Sequence, residues 1–264
     1  MTNKIYNSLE LREIFHIEFL RWFGRRTRPE RYAVKGGVNL RFFFKSFRYS
    51  EDMDIDVSGL SVSKLQDEVI GVINNSSFSN NLKSFGVVKV VPPNMLKAKQ
   101  TETTQRFKIH LITAAGEDLF TKIEFSRRGL QGGILVQTIS DTVLRAYKLT
   151  PLMAPHYGIS SAVSQKIMAL ASRSSIQARD IFDIYILSSQ CDPAGSDRID
   201  VDDAKVKKAH DNIFEVSFEQ FRDTVSAYLA PDDQAAYDSR AAWDELKLKT
   251  ARFLESLRNK NAKI

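Results

Sequence analysis

The sequence predicts an α/β (α+β) fold, with a mixed-sheet domain in residues 1–150 that includes an N-terminal helix, followed by a mostly helical domain in residues 151–264. Three observations predict it. Strand-length segments rich in β-branched and aromatic residues crowd the first half, at Gly86–Val91, Gln105–Thr113 and Leu119–Ser126. From residue 160 the apolar residues recur at helical spacing instead. Between the N-terminal helix and those strands lies VKGGVNLRFFFKSFRYSEDMDIDV, in which two glycines, an apolar run and alternating acids follow one another.

Taken in order, Leu9, Leu11, Ile14, Phe15, Phe19, Leu20 and Phe23 predict an amphipathic helix over 8–23 that Gly24 ends. Arg25-Arg26-Thr27-Arg28-Pro29 then reads as an exposed basic loop. A short strand leads into Gly36-Gly37, and Val38 to Lys45 reads as a helix. Asp52-Met53-Asp54-Ile55-Asp56 reads as a strand. Ser61 or Ser63 is placed to cap a helix reaching Ile73, which Asn74-Asn75-Ser76-Ser77 closes. Pro92-Pro93 stops the first of the three later strands, and Lys97 to Thr104 reads as a turn. Helices are expected over Ser161–Arg173 and from Arg179 through Leu187, separated by Ser174-Ser175. Asp192 to Asp203, with Pro193 and Gly195, is the best linker candidate. Phe214, Phe218, Phe221, Val225 and Leu229 predict a further helix, and Pro231-Asp232-Asp233 starts a last one with Trp243, Leu246, Leu254 and Leu257 facing inward.

An apolar content of 43% and seventeen phenylalanines supply a substantial core. No apolar run approaches the ~20 residues that span a bilayer. Glu10, Arg12, Glu13 and Glu18 interrupt the N-terminal apolar residues, which excludes a signal-peptide core and leads us to expect a cytoplasmic protein. A single cysteine, Cys191, excludes an internal disulfide and a multi-cysteine metal site. The net charge of +6 is uneven: residues 1–48 hold eleven Lys/Arg against four Asp/Glu, and the remainder holds 27 against 28. That surplus suggests a polyanionic partner such as RNA, with Arg25, Arg26 and Arg28 the expected contacts; a solvated basic surface is the alternative.

The central stretch carries the chemistry. Gly36 and Gly37 let backbone N–H groups approach an anion, and a helix starting there would favour phosphate. On a strand, Asp52, Asp54 and Asp56 share one face and can converge on a hard cation that carries a nucleotide's phosphates. In Thr121 to Ser126 the parity puts Lys122, Glu124 and Ser126 on one face; if this strand lies beside Asp52–Asp54, Glu124 offers a third carboxylate. A glycine pair, a helix-length spacer and Asp-x-Asp is what nucleotidyl transfer requires.

The stretch resembles the opening motif of the DNA polymerase β-like nucleotidyltransferase superfamily, and more closely the AbiEii/MenT group of toxins. The pattern Lys-Gly-Gly, short helix, Arg-x-Ser-x-Asp-x-Asp stands here as Lys35-Gly36-Gly37 and Arg48-Tyr49-Ser50-Glu51-Asp52-Met53-Asp54. Family members often carry a small hydroxyl residue after the second glycine, where this chain has Val38. Lys122-Ile123-Glu124 is similar to the family's third-acid strand, and Lys166 with Leu170, then Arg179-Asp180 and Asp183, match its second motif in order. Read without the resemblance, Arg179 and Asp183 are an i, i+4 helix salt bridge.

The resemblance implies Mg²⁺ (or Mn²⁺) held by Asp52, Asp54 and Glu124 (or Asp56), with a nucleoside triphosphate as substrate. It implies nucleotide binding by Lys35, Gly36, Gly37, Arg48, Ser50 and Asp183, and catalytic roles for Asp52, Asp54, Lys166 and Asp180. Lys166 and Asp180 are expected to face the strand acids in a cleft that the helical domain completes. It further implies a tRNA 3′ end as acceptor, a toxin role in a toxin–antitoxin or phage-defence system, and a separate antitoxin. A small-molecule nucleotidyltransferase, or a non-catalytic RNA- or protein-binding module on the same fold, are the alternatives.

Overall fold

The computed structural model describes residues 5–192 and 197–261, with side chains as far as Arg258. Pro193 and Gly195 of the expected linker lie outside the described residues. The chain divides into one unit comprising residues 1–43 and 49–156 and another comprising 44–48 and 157–264.

The first unit opens with α1 (Ser8–Arg26), capped by Asn7, whose side chain accepts from Leu9 and Glu10 N–H while Glu10 reaches back to the Asn7 N–H. Gly24 does not end this helix. A Cβ there would meet the Tyr32 hydroxyl at 2.9 Å, so the glycine serves close packing, and Arg25 and Arg26 belong to the last helical turn rather than to a loop. The basic loop reduces to Thr27 and Arg28 before a 3₁₀ turn at Pro29–Arg31.

β1 (Tyr32–Lys35) runs directly into α2 (Gly36–Phe43), so the glycines are the first residues of the helix rather than a loop before it. Lys45, beyond its end, is left-handed at φ 53°. β2 (Asp52–Val57) is followed by α3 (Val62–Ile73), capped by Ser61. Asn74–Ser77 closes that helix but also begins another, α4 (Ser76–Lys83), because the Asn75 side chain accepts from Ser77 and Phe78 N–H.

The expected strands appear as β3 (Val87–Val91), β4 (Thr104–Thr113) and β5 (Asp118–Ser126). Three short elements were not legible: β6 (Ile134–Thr138), α5 (Asp141–Ala146) and β7 (Met153–Tyr157). β6 is a largely exposed edge strand without alternation, and β7 contains Pro155, which reads as a strand breaker.

The seven strands form one mixed sheet in the order β3-β4-β5-β2-β1-β7-β6. β2 lies antiparallel to β1 and parallel to β5, in registers that set Lys35 opposite Asp54 and Asp54 opposite Glu124. Phe15, Phe19, Phe23, Met53, Ile55, Phe107, Ile123 and Phe125 form a core between α1 and the inward face of the sheet, leaving the alternate residues of β2 and β5 on the other face. Val38 belongs to this core, which accounts for an apolar residue at that position.

The second unit contains α6 (Ile159–Ser172), α7 (Ala178–Ser188), α8 (Asp203–Ile213), α9 (Phe218–Thr224), α10 (Pro231–Tyr237) and α11 (Arg240–Asn261). The single helix expected over 214–229 is divided. Phe214 caps α8 and is half exposed, and Ser217 restarts the chain with a capping box to Gln220. Likewise Pro231 opens only the short α10; Trp243, Leu246, Leu254 and Leu257 are buried on α11. Trp243 stacks on Phe221 and donates its indole N–H to the Val216 carbonyl, so it is a satisfied core residue.

Candidate active site

In the first unit, strand register assembles the expected acids. Asp52 and Asp54 stand on one face of β2, two residues apart, while Met53 and Ile55 are fully buried on the other. Gly36 packs onto Asp54: a Cβ at Gly36 would lie 2.7 Å from Asp54 Oδ2, and the residue has φ +68°. Only glycine satisfies both demands. The carboxylate is thus pressed against the start of α2, where the first-turn N–H groups have no intrahelical acceptor.

The surrounding charges are mixed. Lys122, opposite Asp52 in the parallel ladder, places Nζ 3.0 Å from Asp52 Oδ2 and 4.0 Å from Glu124 Oε2. Glu124 also forms an ion pair with Arg106 from β4. Lys35 Nζ lies 2.6 Å from Asp56 Oδ1, and that carboxylate is buried. Burial pushes the Asp54 carboxyl above its ordinary pKa; Lys35 and Lys122 oppose the rise, and Glu124 and Asp52 add to it. The Ser50 Oγ donates to the Asp52 carbonyl at 2.8 Å and fixes the entry to β2.

Among the described residues no three or more of His, Cys, Asp and Glu are grouped to hold a metal ion. Asp52 and Asp54 remain as an adjacent pair of carboxylates. Mg²⁺ bound with a nucleotide takes one or two protein carboxylates and draws its other ligands from phosphates and water, so the pair fits such an ion.

In the second unit the predicted residues Arg48, Lys166, Asp180 and Asp183 converge on one another. Lys166 Nζ lies 2.6 Å from Asp183 Oδ2 and 3.1 Å from Asp180 Oδ1. Arg48 donates from Nε and a terminal nitrogen to Asp183 Oδ1, at 3.3 and 3.1 Å, and to Oδ2 at 3.1 Å. Arg173 approaches Asp180 Oδ2 at 3.3 Å. Both aspartates have 0% exposure, which explains why each is met by cations.

Burial opposes the charge on Lys166, but Asp183 and Asp180 hold its pKa above the ordinary lysine value. Burial likewise opposes ionisation of Asp183, and Arg48 and Lys166 keep its pKa below the carboxylate range. The helix pairing anticipated between Arg179 and Asp183 does not form: Arg179 is exposed, and Asp183 is taken by Arg48 and Lys166.

Further partners of these acids are Lys122, Arg106 and Arg173. Parity alone put Lys122 on the face of Glu124, so that one was legible. Arg106 required the β4–β5 register, and Arg173 required the turn after α6.

The structure thus combines a mixed sheet, bearing paired strand acids beside a glycine-led helix, with a helical unit. The same fold occurs in JHP933 from Helicobacter pylori, at TM-score 0.56 and 16% identity over 98% of this chain and 96% of that one. It occurs also in MenT4, a nucleotidyltransferase toxin from Mycobacterium tuberculosis H37Rv, at TM-score 0.56 and 14% identity over 95% and 94% of the two chains. A search of curated protein sequences gives no match. The sequence profile described as "Nucleotidyl transferase AbiEii toxin, Type IV TA system" matches residues 19–259, and the chain belongs to that family. Membership makes it an enzyme that uses a nucleoside triphosphate and has a cognate antitoxin. Among the described residues no helix is long and apolar enough to cross a membrane.

Proposed function

We propose that the protein transfers a nucleoside monophosphate from a triphosphate to the 3′-hydroxyl of tRNA with the help of Mg²⁺, and that this arrests growth until the antitoxin intervenes. The observation that carries the reading is the Asp52–Asp54 pair, set on one face of β2 with Asp54 against Gly36. Asp52 and Asp54 would hold the ion, which when bound neutralises phosphate charge and polarises the phosphoryl group. Glu124, which pairs with Arg106 through Oε2, is assigned a secondary role.

The chain's own groups do the remaining work. The N–H groups at Gly36 and Gly37 receive phosphate oxygens, aided by the positive end of α2. Lys35, held by Asp56, adds positive charge beside Asp54. Ser50, whose hydroxyl donates to the Asp52 carbonyl, keeps the chain in register for Asp52. Lys166 is assigned to the charge that develops on pyrophosphate, Asp180 and Asp183 hold its ammonium, and Arg48 fixes Asp183. Among these side chains and Arg173, three cations face two carboxylates, so the cluster retains positive charge.

The test incubates purified protein with each α-labelled triphosphate and total tRNA, with and without divalent metal. Label on tRNA that requires metal and disappears in Asp54→Asn is expected. Label that appears only on a small molecule would replace the tRNA acceptor.

A further inference from the structure

Residues at the far end of β1 and β2 form a surface cavity of about 510 Å³. Arg26, Arg28, Arg31 and Lys64 line it, against the single carboxylate of Glu68. Glu68 orients two of these cations, with Arg26 Nε and Lys64 Nζ each 2.6 Å from a different carboxylate oxygen. Arg31 is anchored on the Gly59 carbonyl. The side chain of Arg28 is exposed and has no ion pair among the described residues.

Two glycines lie against these arginines. A Cβ at Gly71 would meet the Arg26 guanidinium at 2.7 Å, and Gly59, at φ +67°, has Arg31 within 3.4 Å of its Cβ position. Ser61, also in the lining, caps α3, so the positive end of a twelve-residue helix opens here. Independently, Thr27 lines the cavity, is 4% exposed, and its hydroxyl meets no hydrogen-bond partner among the described residues. A buried hydroxyl without a partner beside converging cations is an unfilled demand for an acceptor.

We infer that this cavity is a phosphate-binding site, separate from the Asp52–Asp54 pair, that takes a phosphodiester of the single-stranded end of the RNA acceptor. The phosphate chemistry rests on the cavity alone; the RNA source rests on the proposed tRNA acceptor. In the β1–β2 ladder Lys35 pairs with Asp54 at one end and Tyr32 with Val57 at the other. At ~3.3 Å per residue the cavity stands on the order of 10 Å or more along the strands from Asp54. A chain phosphate held here would therefore belong to a nucleotide other than the one that reacts. A tetrahedral dianion or diester accepts several N–H and O–H groups at once, as Arg28, Arg31, Lys64 and Thr27 would provide.

The test measures binding of a fluorescein-labelled twelve-nucleotide single-stranded RNA, and separately of inorganic phosphate, to the full chain and to Arg28→Ala, Lys64→Ala and Thr27→Val. Arg28 and Lys64 are exposed and the Thr27 hydroxyl has no partner among the described residues, so all three variants should fold; thermal unfolding checks this. RNA binding is expected to weaken about tenfold in each charge variant, with the salt slope falling by roughly 0.7 per phosphate released. Thr27→Val is expected to weaken binding without lowering the unfolding temperature. If wild type ignores RNA yet binds inorganic phosphate, and the variants lose it, the phosphate site stands and the RNA acceptor fails. Variants indistinguishable from wild type toward both probes would overturn the site and leave a solvated cluster of ion pairs.

Discussion

At Asp183 a single buried carboxylate is shared by Arg48 and Lys166. Removing it as Asp183→Ala strands two cations in a dry environment, and the expected loss is about 3–5 kcal/mol, read by urea unfolding. Asp183→Asn should fall between, since it keeps hydrogen bonds without the charge. The depressed pKa gives a sign: the stabilisation is complete above the ordinary carboxylate value of 3.8 and is lost as pH falls through the depressed value. The gap between wild type and Asp183→Asn should therefore narrow on the acid side only.

Asp54 is the opposite case, because its pKa is raised by burial above the ordinary 3.8. Its ionised form is disfavoured in the fold, so the stability it costs is absent below 3.8 and grows as pH rises through the raised value. In metal-free buffer Asp54→Asn should unfold at or above the wild-type temperature at pH 7.5, with the advantage shrinking toward pH 4.5. A lower unfolding temperature at pH 7.5 would mean that Asp54 is a structural acid rather than one kept for a ligand.

Among elements, the β1–α2 junction carries the sharpest consequence. Gly36→Ala forces a Cβ to 2.7 Å from Asp54 Oδ2 in a left-handed backbone. The strain is about 1–2 kcal/mol, and transfer activity should fall further than that loss of stability explains, because Asp54 itself must move. Activity scaled to the folded fraction separates the two effects. Much of this element chemistry was legible in sequence. Period two put Asp52 and Asp54 on one face, and parity put Lys122 with Glu124, since strand geometry is local. What pairs with what across strands is not local, so the Arg106–Glu124 link could not be read. Caps are legible as residue types but not in every role: Asn74–Ser77 closes one helix as expected, and the Asn75 side chain also starts the next. Gly24 reads as a stop in sequence because its role, contact with Tyr32, is tertiary.

Over the whole molecule, the basic surplus of residues 1–48 is not a free surface. Arg12, Arg21, Arg26, Lys35, Arg41 and Arg48 are each paired with an acid, and Arg25 stacks on Trp22. Counting charge along the chain therefore overstates the patch: among the described residues of this segment Arg25, Arg28, Arg31 and Lys45 have no ion pair, and of these Arg28 and Arg31 line the cavity. The nucleotide supplies the remaining test at this scale. A ligand that binds only the folded state stabilises it by ~2.7 kcal/mol at a hundredfold excess over Kd. For a chain of this size each kcal/mol moves the unfolding temperature by about 2–4 °C. Wild type with Mg²⁺ and a nucleoside triphosphate should gain several degrees, and with EDTA nothing. Asp52→Asn and Asp54→Asn should gain little under either condition, while Glu124→Gln, whose carboxylate is already engaged by Arg106, should keep most of the gain. Equal shifts in wild type and both aspartate variants would mean that the metal-nucleotide is held elsewhere, and the paired acids of β2 would lose their assignment.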